Sequence, residues 1–374
     1  MKEEKRLIIT VLWISGYLLL IDLGINVIIP YPKDPRNVSP STISQFFEYG
    51  RSVEGKLSRM TRKTQEESAP ILSTGWLRDP RVRYFSGVPD DTSKPTITVY
   101  GMSHSVQLAE AMGKLDSSFV VRSFGAPGAV PSWSYAAYLS DKKQHHSDVV
   151  VLAISTYGVP LICTTSGTTN HFDDVWPYTY PRFLLKNGTL ESVSPPFDSL
   201  IGYREYFYDP VKWRAYKEWL NIHDKYYDPL LFRRTILDQS SIVRMLRRAY
   251  AYSSQRTKKA EVYDERNGFN VNSEEVKILL SIIKNFSDDA QRDNSLPIIY
   301  IVNNLFMGDH LYRLLEQTLA AEKILSLSSH EICPPDDPRI YLPDTHFIPS
   351  KNLELAKAMM KIVRDNMKAP IKQN

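Results

Sequence analysis

Short β-branched runs alternate with segments of helical apolar spacing along much of the chain, and this alternation restricts the fold more than any other feature. The runs lie at residues 96–100, 118–122, 148–154 and 297–302. Residues 104–115, 133–139, 274–286, 311–324 and 353–367 place apolar side chains three and four apart. Strands that are apolar on both faces must be covered on both faces. The pattern therefore predicts an α/β three-layer sandwich with a parallel sheet, in which ligands bind beyond the carboxyl ends of the strands.

Residues from about 164 to 270 interrupt the rhythm and read as a large, mostly helical insertion over the sheet's active edge. Helices are expected near 210–223 and 242–256. The basic run of Arg244, Arg247, Arg248, Arg256, Lys258 and Lys259 reads as a solvated face. Residues 31–94 read as a juxtamembrane stalk and lead-in. Pro30, Pro32 and Pro35 forbid helix continuation there, and Ser39-Pro40-Ser41 offers a cap for one helix running through Phe46, Phe47 and Val53 towards Met60. Residues 62–68 are polar and expected to be exposed.

Residues 7–29 are almost continuously apolar, and 23 residues at 1.5 Å each span the roughly 30 Å of bilayer hydrocarbon. A secretory signal peptide has a shorter apolar region and a small-x-small cleavage site, so an uncleaved signal anchor is the better reading. Lys2, Lys5 and Arg6 favour a cytoplasmic N-terminus, which makes residues 1–30 a stub and membrane anchor and puts the rest in a periplasmic or extracellular space. Asp22 and Asn26 share one helix face, expected near the outer interface within reach of water. Cys163 and Cys333 could form a single disulfide in an oxidising compartment, or stay as two buried thiols. Asn37, Asn187 and Asn285 each open an Asn-x-Ser/Thr triplet. A net charge of +4 spread over 374 residues argues against nucleic-acid binding.

The sharpest chemical signal is Gly101-Met102-Ser103-His104-Ser105, placed at a strand-to-helix turn. Such a turn lifts a serine hydroxyl out of the sheet and aims a helix N-terminus at it. Serine needs a base and a group to orient that base, and Asp344-Thr345-His346 near the end of the chain supplies both. His145-His146 and Asn303-Asn304 are weaker candidates; the asparagines close the fourth strand, where a substrate could be touched. Neither cysteine has metal-ligand spacing, and no cofactor is expected.

Gly101–Ser105 resembles the first block of the SGNH (GDSL-like) hydrolase superfamily, with Met102 at a position usually acidic. Arg122-Ser-Phe-Gly-Ala-Pro-Gly128 is similar to its second block, which implies that Gly128 donates a backbone N–H to an oxyanion hole, beside the N–H of Ser103. The third block normally ends in Gly-x-Asn; here Ile154-Ser155-Thr156-Tyr157-Gly158 has no Asn, and Tyr157 or Ser155 would have to substitute. The fifth block normally reads Asp-x-x-His, one residue longer than Asp344-Thr345-His346. That shorter form is similar to the one in alginate-type O-acetyltransferases. The resemblance covers roughly 95–165 and 295–370 of a flavodoxin-like domain spanning 95–374.

The resemblance implies a membrane-anchored serine O-acyltransferase or O-acetylesterase. It would act on an extracytoplasmic polysaccharide or cell-envelope glycan, with a membrane acyl donor as a conceivable partner. Two alternatives stand beside it. A lipid or lysophospholipid esterase would need an apolar groove, for which Trp213, Trp219 and Leu230-Leu231-Phe232 are available. A non-catalytic scaffold would fit the missing third-block Asn.

Overall fold

The computed structural model of the chain describes residues 2–32, 39–61, 74–78, 82–87 and 93–367. Pro35, the Asn37 triplet and residues 62–68 lie outside them. Among the described residues there are ten strands: β1 (Val82–Ser86), β2 (Thr96–Gly101), β3 (Val120–Gly125), β4 (Val149–Ser155), β5 (Arg182–Lys186), β6 (Thr189–Val193), β7 (Tyr263–Asp264), β8 (Gly268–Phe269), β9 (Leu296–Val302) and β10 (Leu325–Ser328). Six of them form one sheet in the order β1-β3-β2-β4-β9-β10, while β5-β6 and β7-β8 are separate hairpins.

The large sheet is mixed rather than all parallel, because β1 runs antiparallel to β3 while the other neighbours are parallel. The four expected strands are present with shifted ends, and β1 and β10 are additional. Both are short edges without a continuous apolar run. The Leu-Ser alternation of β10 directly follows a helix that ends earlier than its spacing suggested, with Lys323 in the left-handed region at φ 53°.

The helices are α1 (Lys2–Ile28), α2 (Thr42–Tyr49), α3 (Val53–Met60), α4 (Ser103–Leu115), α5 (Pro131–Asp141), α6 (Gly167–Asn170), α7 (Leu200–Tyr208), α8 (Pro210–His223), α9 (Pro229–Phe232), α10 (Ser241–Ala260), α11 (Glu274–Arg292), α12 (His310–Ala321) and α13 (Pro349–Asn366). Right-handed crossovers from β2 out to β3 and from β3 back to β4 place α4 and α5 on opposite faces of the sheet. α13 packs with α4, and α11 packs with α5. The connections leaving β2 and β4 therefore diverge, and a crevice opens between their carboxyl ends.

α1 is long and apolar enough to cross a membrane. Its polar face does not meet water as expected. Asp22 is 9% exposed, its Oδ1 accepts the Ile242 N–H at 3.1 Å, and Asn26 Oδ1 accepts from Ser241 and Arg244 of α10. The single helix expected towards Met60 is two, α2 and α3. Gly50 follows the first and must be glycine, because a Cβ there would lie 1.9 Å from the Arg244 carbonyl oxygen. Ser52 then caps the second, its hydroxyl accepting from Gly55 N–H and donating to Asp238. The segment read as a stalk thus contributes α2, α3 and β1 to the folded body.

The basic run is not a solvated face either. Arg244 pairs with Glu48, Arg247 with Asp238, and Arg248 with Asp173. Trp213, Leu231 and Phe232 are buried with Phe197, Tyr203 and Tyr216 as the insertion's own core, while Leu230, expected in an apolar groove, is 70% exposed. Cys163 and Cys333 are both free and buried. The charged groups nearest them differ: Glu274 and Glu275 of α11 act on Cys163, and Lys351 and Glu354 of α13 on Cys333.

Candidate active site

Ser103 is the first residue of α4, two residues beyond the last residue of β2, at the crevice between β2 and β4. The turn needs Gly101, where a Cβ would come within 2.7 Å of Ala153 Cβ and 2.8 Å of Ser105 Oγ. Ser105 Oγ donates to the Met102 carbonyl at 2.6 Å and tightens the turn. Met102, at the cap position, offers no side-chain acceptor, so the Ser103 N–H has no partner among the described residues.

His346 comes from the opposite end of the sequence, and its Nε2 lies 2.5 Å from Ser103 Oγ. Asp344 Oδ2 is 3.0 Å from His346 Nδ1, but off the N–H axis, so Nδ1 has no aligned acceptor. Asp344 Oδ1 also accepts the His346 backbone N–H at 3.3 Å, the chief reason that its carboxyl is held below the usual range. The Asp344 side chain is 66% exposed, an open setting for the third member of a triad.

The short Asp-Thr-His spacing has a backbone cause. Thr345 adopts φ 68°, a left-handed conformation that is costly for a β-branched residue. Leu342 and His346 close the loop through a backbone bond of 2.7 Å, and Thr345 N–H donates to Leu342 O. The conformation is held from outside by His104, whose Nε2–H donates to the Thr345 carbonyl at 3.2 Å. Its ring also lies against those of His346 and Phe347, at centroid distances of 4.7 and 5.2 Å. Burial, with the neighbouring His346, pushes His104 down to about 4 and keeps it neutral. The sequence singled out His104 for none of this, since its partner lies 241 residues away.

Gly128 lines the same cavity from the loop after β3, at φ 60°, and its N–H has no acceptor among the described residues. A Cβ there would meet Trp176 at 3.0 Å and His171 Nε2 at 3.1 Å, so the insertion forms the wall beside this amide. Tyr157 also lines the cavity, but its backbone N–H is committed to Asn304 Oδ1 at 3.0 Å, and the Ser155 hydroxyl accepts from Gly158 N–H. Asn304 Nδ2 makes no hydrogen bond among the described residues. Asn303 is structural: its side chain donates to Ser328, and its carbonyl accepts from Tyr341.

A polar relay from the insertion ends in this cavity. Lys259 Nζ donates to Tyr157 Oη at 2.7 Å, and Tyr157 Oη lies 3.3 Å from His171 Nδ1. Burial lowers Lys259 to about 8, which leaves it an ammonium at neutral pH, and raises the Tyr157 phenol. An ammonium only donates, so the Tyr157 O–H donates its hydrogen bond to His171 Nδ1. Burial and the Lys259 charge hold His171 at about 4, and the proton of its neutral ring is left on Nε2, the atom beside Gly128. Tyr157 and His171 stack at 5.3 Å and separate this cavity of about 430 Å³ from a second, more polar one of about 610 Å³. Among the described residues no three His, Cys, Asp or Glu side chains converge as metal ligands.

The two buried imidazoles predict an acid-sensitive fold. Both titrate near 4 in the folded chain and near 6.5 when unfolded. Between those values the unfolded chain binds protons that the folded chain does not, so stability falls as pH drops through this window, by about 3 kcal/mol per histidine. Denaturant unfolding at pH 7 and pH 4.5 should show this loss, and His171→Phe should reduce it.

No family model matches the chain, and no curated protein or solved structure is significantly similar to it.

Proposed function

We propose that this chain is a membrane-anchored serine O-acyltransferase or O-acetylesterase that acts outside the cytoplasm on a polysaccharide or cell-envelope glycan. The observation that carries the reading is the 2.5 Å contact between His346 Nε2 and Ser103 Oγ at a strand-to-helix turn. The SGNH-like blocks around Ser103, Gly128 and Asp344–His346 support it.

In this reading Ser103 Oγ attacks the acyl carbonyl carbon while its proton passes to His346 Nε2. The carbonyl oxygen becomes an oxyanion, held by the N–H groups of Ser103 and Gly128. Collapse breaks the ester bond, and the leaving alkoxide takes the proton from His346, which leaves an acyl-Ser103 ester. Water or a sugar hydroxyl then attacks that ester by the same steps in reverse order. Hydrolysis and transfer share the acyl-enzyme, so they differ only in which acceptor reaches it. In place of the third-block Asn, His171 Nε2–H and Asn304 Nδ2 are the side-chain donors available on the cavity wall.

Mass spectrometry after incubation with an acetyl ester should find the acetyl group on Ser103. An unmodified Ser103, together with unchanged ester cleavage by Ser103→Ala, would overturn the reading. Fluorophosphonate labelling of Ser103 separates it from a non-catalytic scaffold, and parallel measurement of released acetate and acetylated glycan separates hydrolysis from transfer. His171→Phe keeps the ring against Tyr157 but removes the Nε2 donor. It should lower kcat by roughly 100-fold with little change in KM.

A further inference from the structure

The candidate membrane helix is joined to the folded body by a built contact. Asp22 and Asn26 of α1 meet the first turn of α10, Arg244 runs from Asn26 to Glu48 of α2, and Glu48 is also paired with Arg51 and Arg59. These groups are largely buried and mutually satisfied, so α1 leaves the body through a fixed joint.

Next to that joint the body exposes apolar side chains that none of the described residues covers. Ile236 and Leu237, in the turn before α10, are 86% and 53% exposed, and Met245 and Leu246, one turn beyond Ile242, are 43% and 66% exposed. Val27 and Ile28, which follow Asn26 at the end of α1, are also exposed, at 78% and 79%. Arg233 and Arg234, both exposed, directly precede it. Basic residues leading into an exposed apolar turn suit the headgroup–acyl boundary of an anionic bilayer.

We propose that the turn at Ile236–Gln239 and the first two turns of α10 rest in the outer leaflet, a second membrane contact that works together with α1. The occupant is lipid because the patch adjoins the turn of α10 that is bonded to the membrane helix and is preceded by two exposed cations. Each apolar side chain that leaves water adds to the attachment, and α1 already holds the patch at the surface. The body then has one pose on the membrane. α10 acts as a strut about 26 Å long from the joint at Ile242 to Lys259 at the cavity, so the height of Ser103 above the bilayer is set by a rigid helix. The proposal depends on α1 crossing the bilayer and is independent of the chemistry of Ser103.

The test uses the full chain in vesicles of phosphatidylcholine and phosphatidylglycerol, with a nitroxide on one introduced cysteine: Leu12→Cys, Leu237→Cys, Leu246→Cys or Lys361→Cys. Cys163 and Cys333 are buried thiols pushed up in pKa and should not label. Power saturation should show Leu237 and Leu246 favouring oxygen over a water-soluble nickel complex, as Leu12 does and Lys361 does not. Nickel access at Leu237 and Leu246 equal to that at Lys361 would overturn the proposal. Shielding of both from both reagents would also overturn it, since that would mark a protein partner or a second copy. A water-exposed Leu12 would overturn the premise and the proposal together.

Discussion

Ser103→Ala should reduce acyl turnover by roughly four orders of magnitude or more while leaving the fold intact. The hydroxyl is only partly buried, and within the protein it contacts the His346 imidazole, so removing it opens no core cavity. His346→Ala should cost as much, because the serine then keeps its proton. Asp344→Ala should be milder, roughly 10- to 100-fold. Its carboxylate is mostly exposed and off the Nδ1–H axis, and the loop that carries His346 is also held by His104 through the Thr345 carbonyl. Steady-state kinetics on a small acetyl ester would rank the three. An Asp344 loss as large as that of His346 would mean that the carboxylate swings into line when substrate binds.

The largest stability effect is expected behind the sheet. Asp141 pairs with Arg122 at 2.5 Å and accepts the Tyr100 hydroxyl at 2.7 Å, and both charged side chains are almost fully buried. Asp141→Leu strands the guanidinium in an apolar setting and leaves the phenol without an acceptor. It should destabilise the chain by about 3–5 kcal/mol. Replacing both partners, as Arg122→Met with Asp141→Leu, removes the stranded charge and should recover most of that loss. Denaturant unfolding of the two single variants and the double variant closes the cycle. The pair reaches β2 and β3 behind the loops that carry Ser103 and Gly128, so any activity lost should follow the unfolded fraction.

The amino-acid order was sufficient for features whose cause is local. The four inner strands are legible because a strand covered on both faces must be apolar along its length. Ser103 is legible because glycine and a small side chain are needed where a strand turns into a helix. Asp344 and His346 could be proposed as partners because they stand two apart in a loop near the end of an α/β pattern.

What depended on residues far apart in the sequence was decided by the tertiary structure alone. β1 and β10 are strands because neighbouring edges pair with them, not because their own patterns demand it. Asp22 and Asn26 look like interfacial polar groups until α10 is placed beside them, and the basic run looks solvated until Glu48, Asp238 and Asp173 arrive as partners. Cys163 and Cys333 allow a disulfide or two thiols by sequence, and in the structure both are buried free thiols. Near Ser103 the same holds for the clamp of His104 on Thr345 and for the Lys259–Tyr157–His171 relay. Periodicity and spacing report which face of an element is buried. They carry no record of which distant side chain will meet it there.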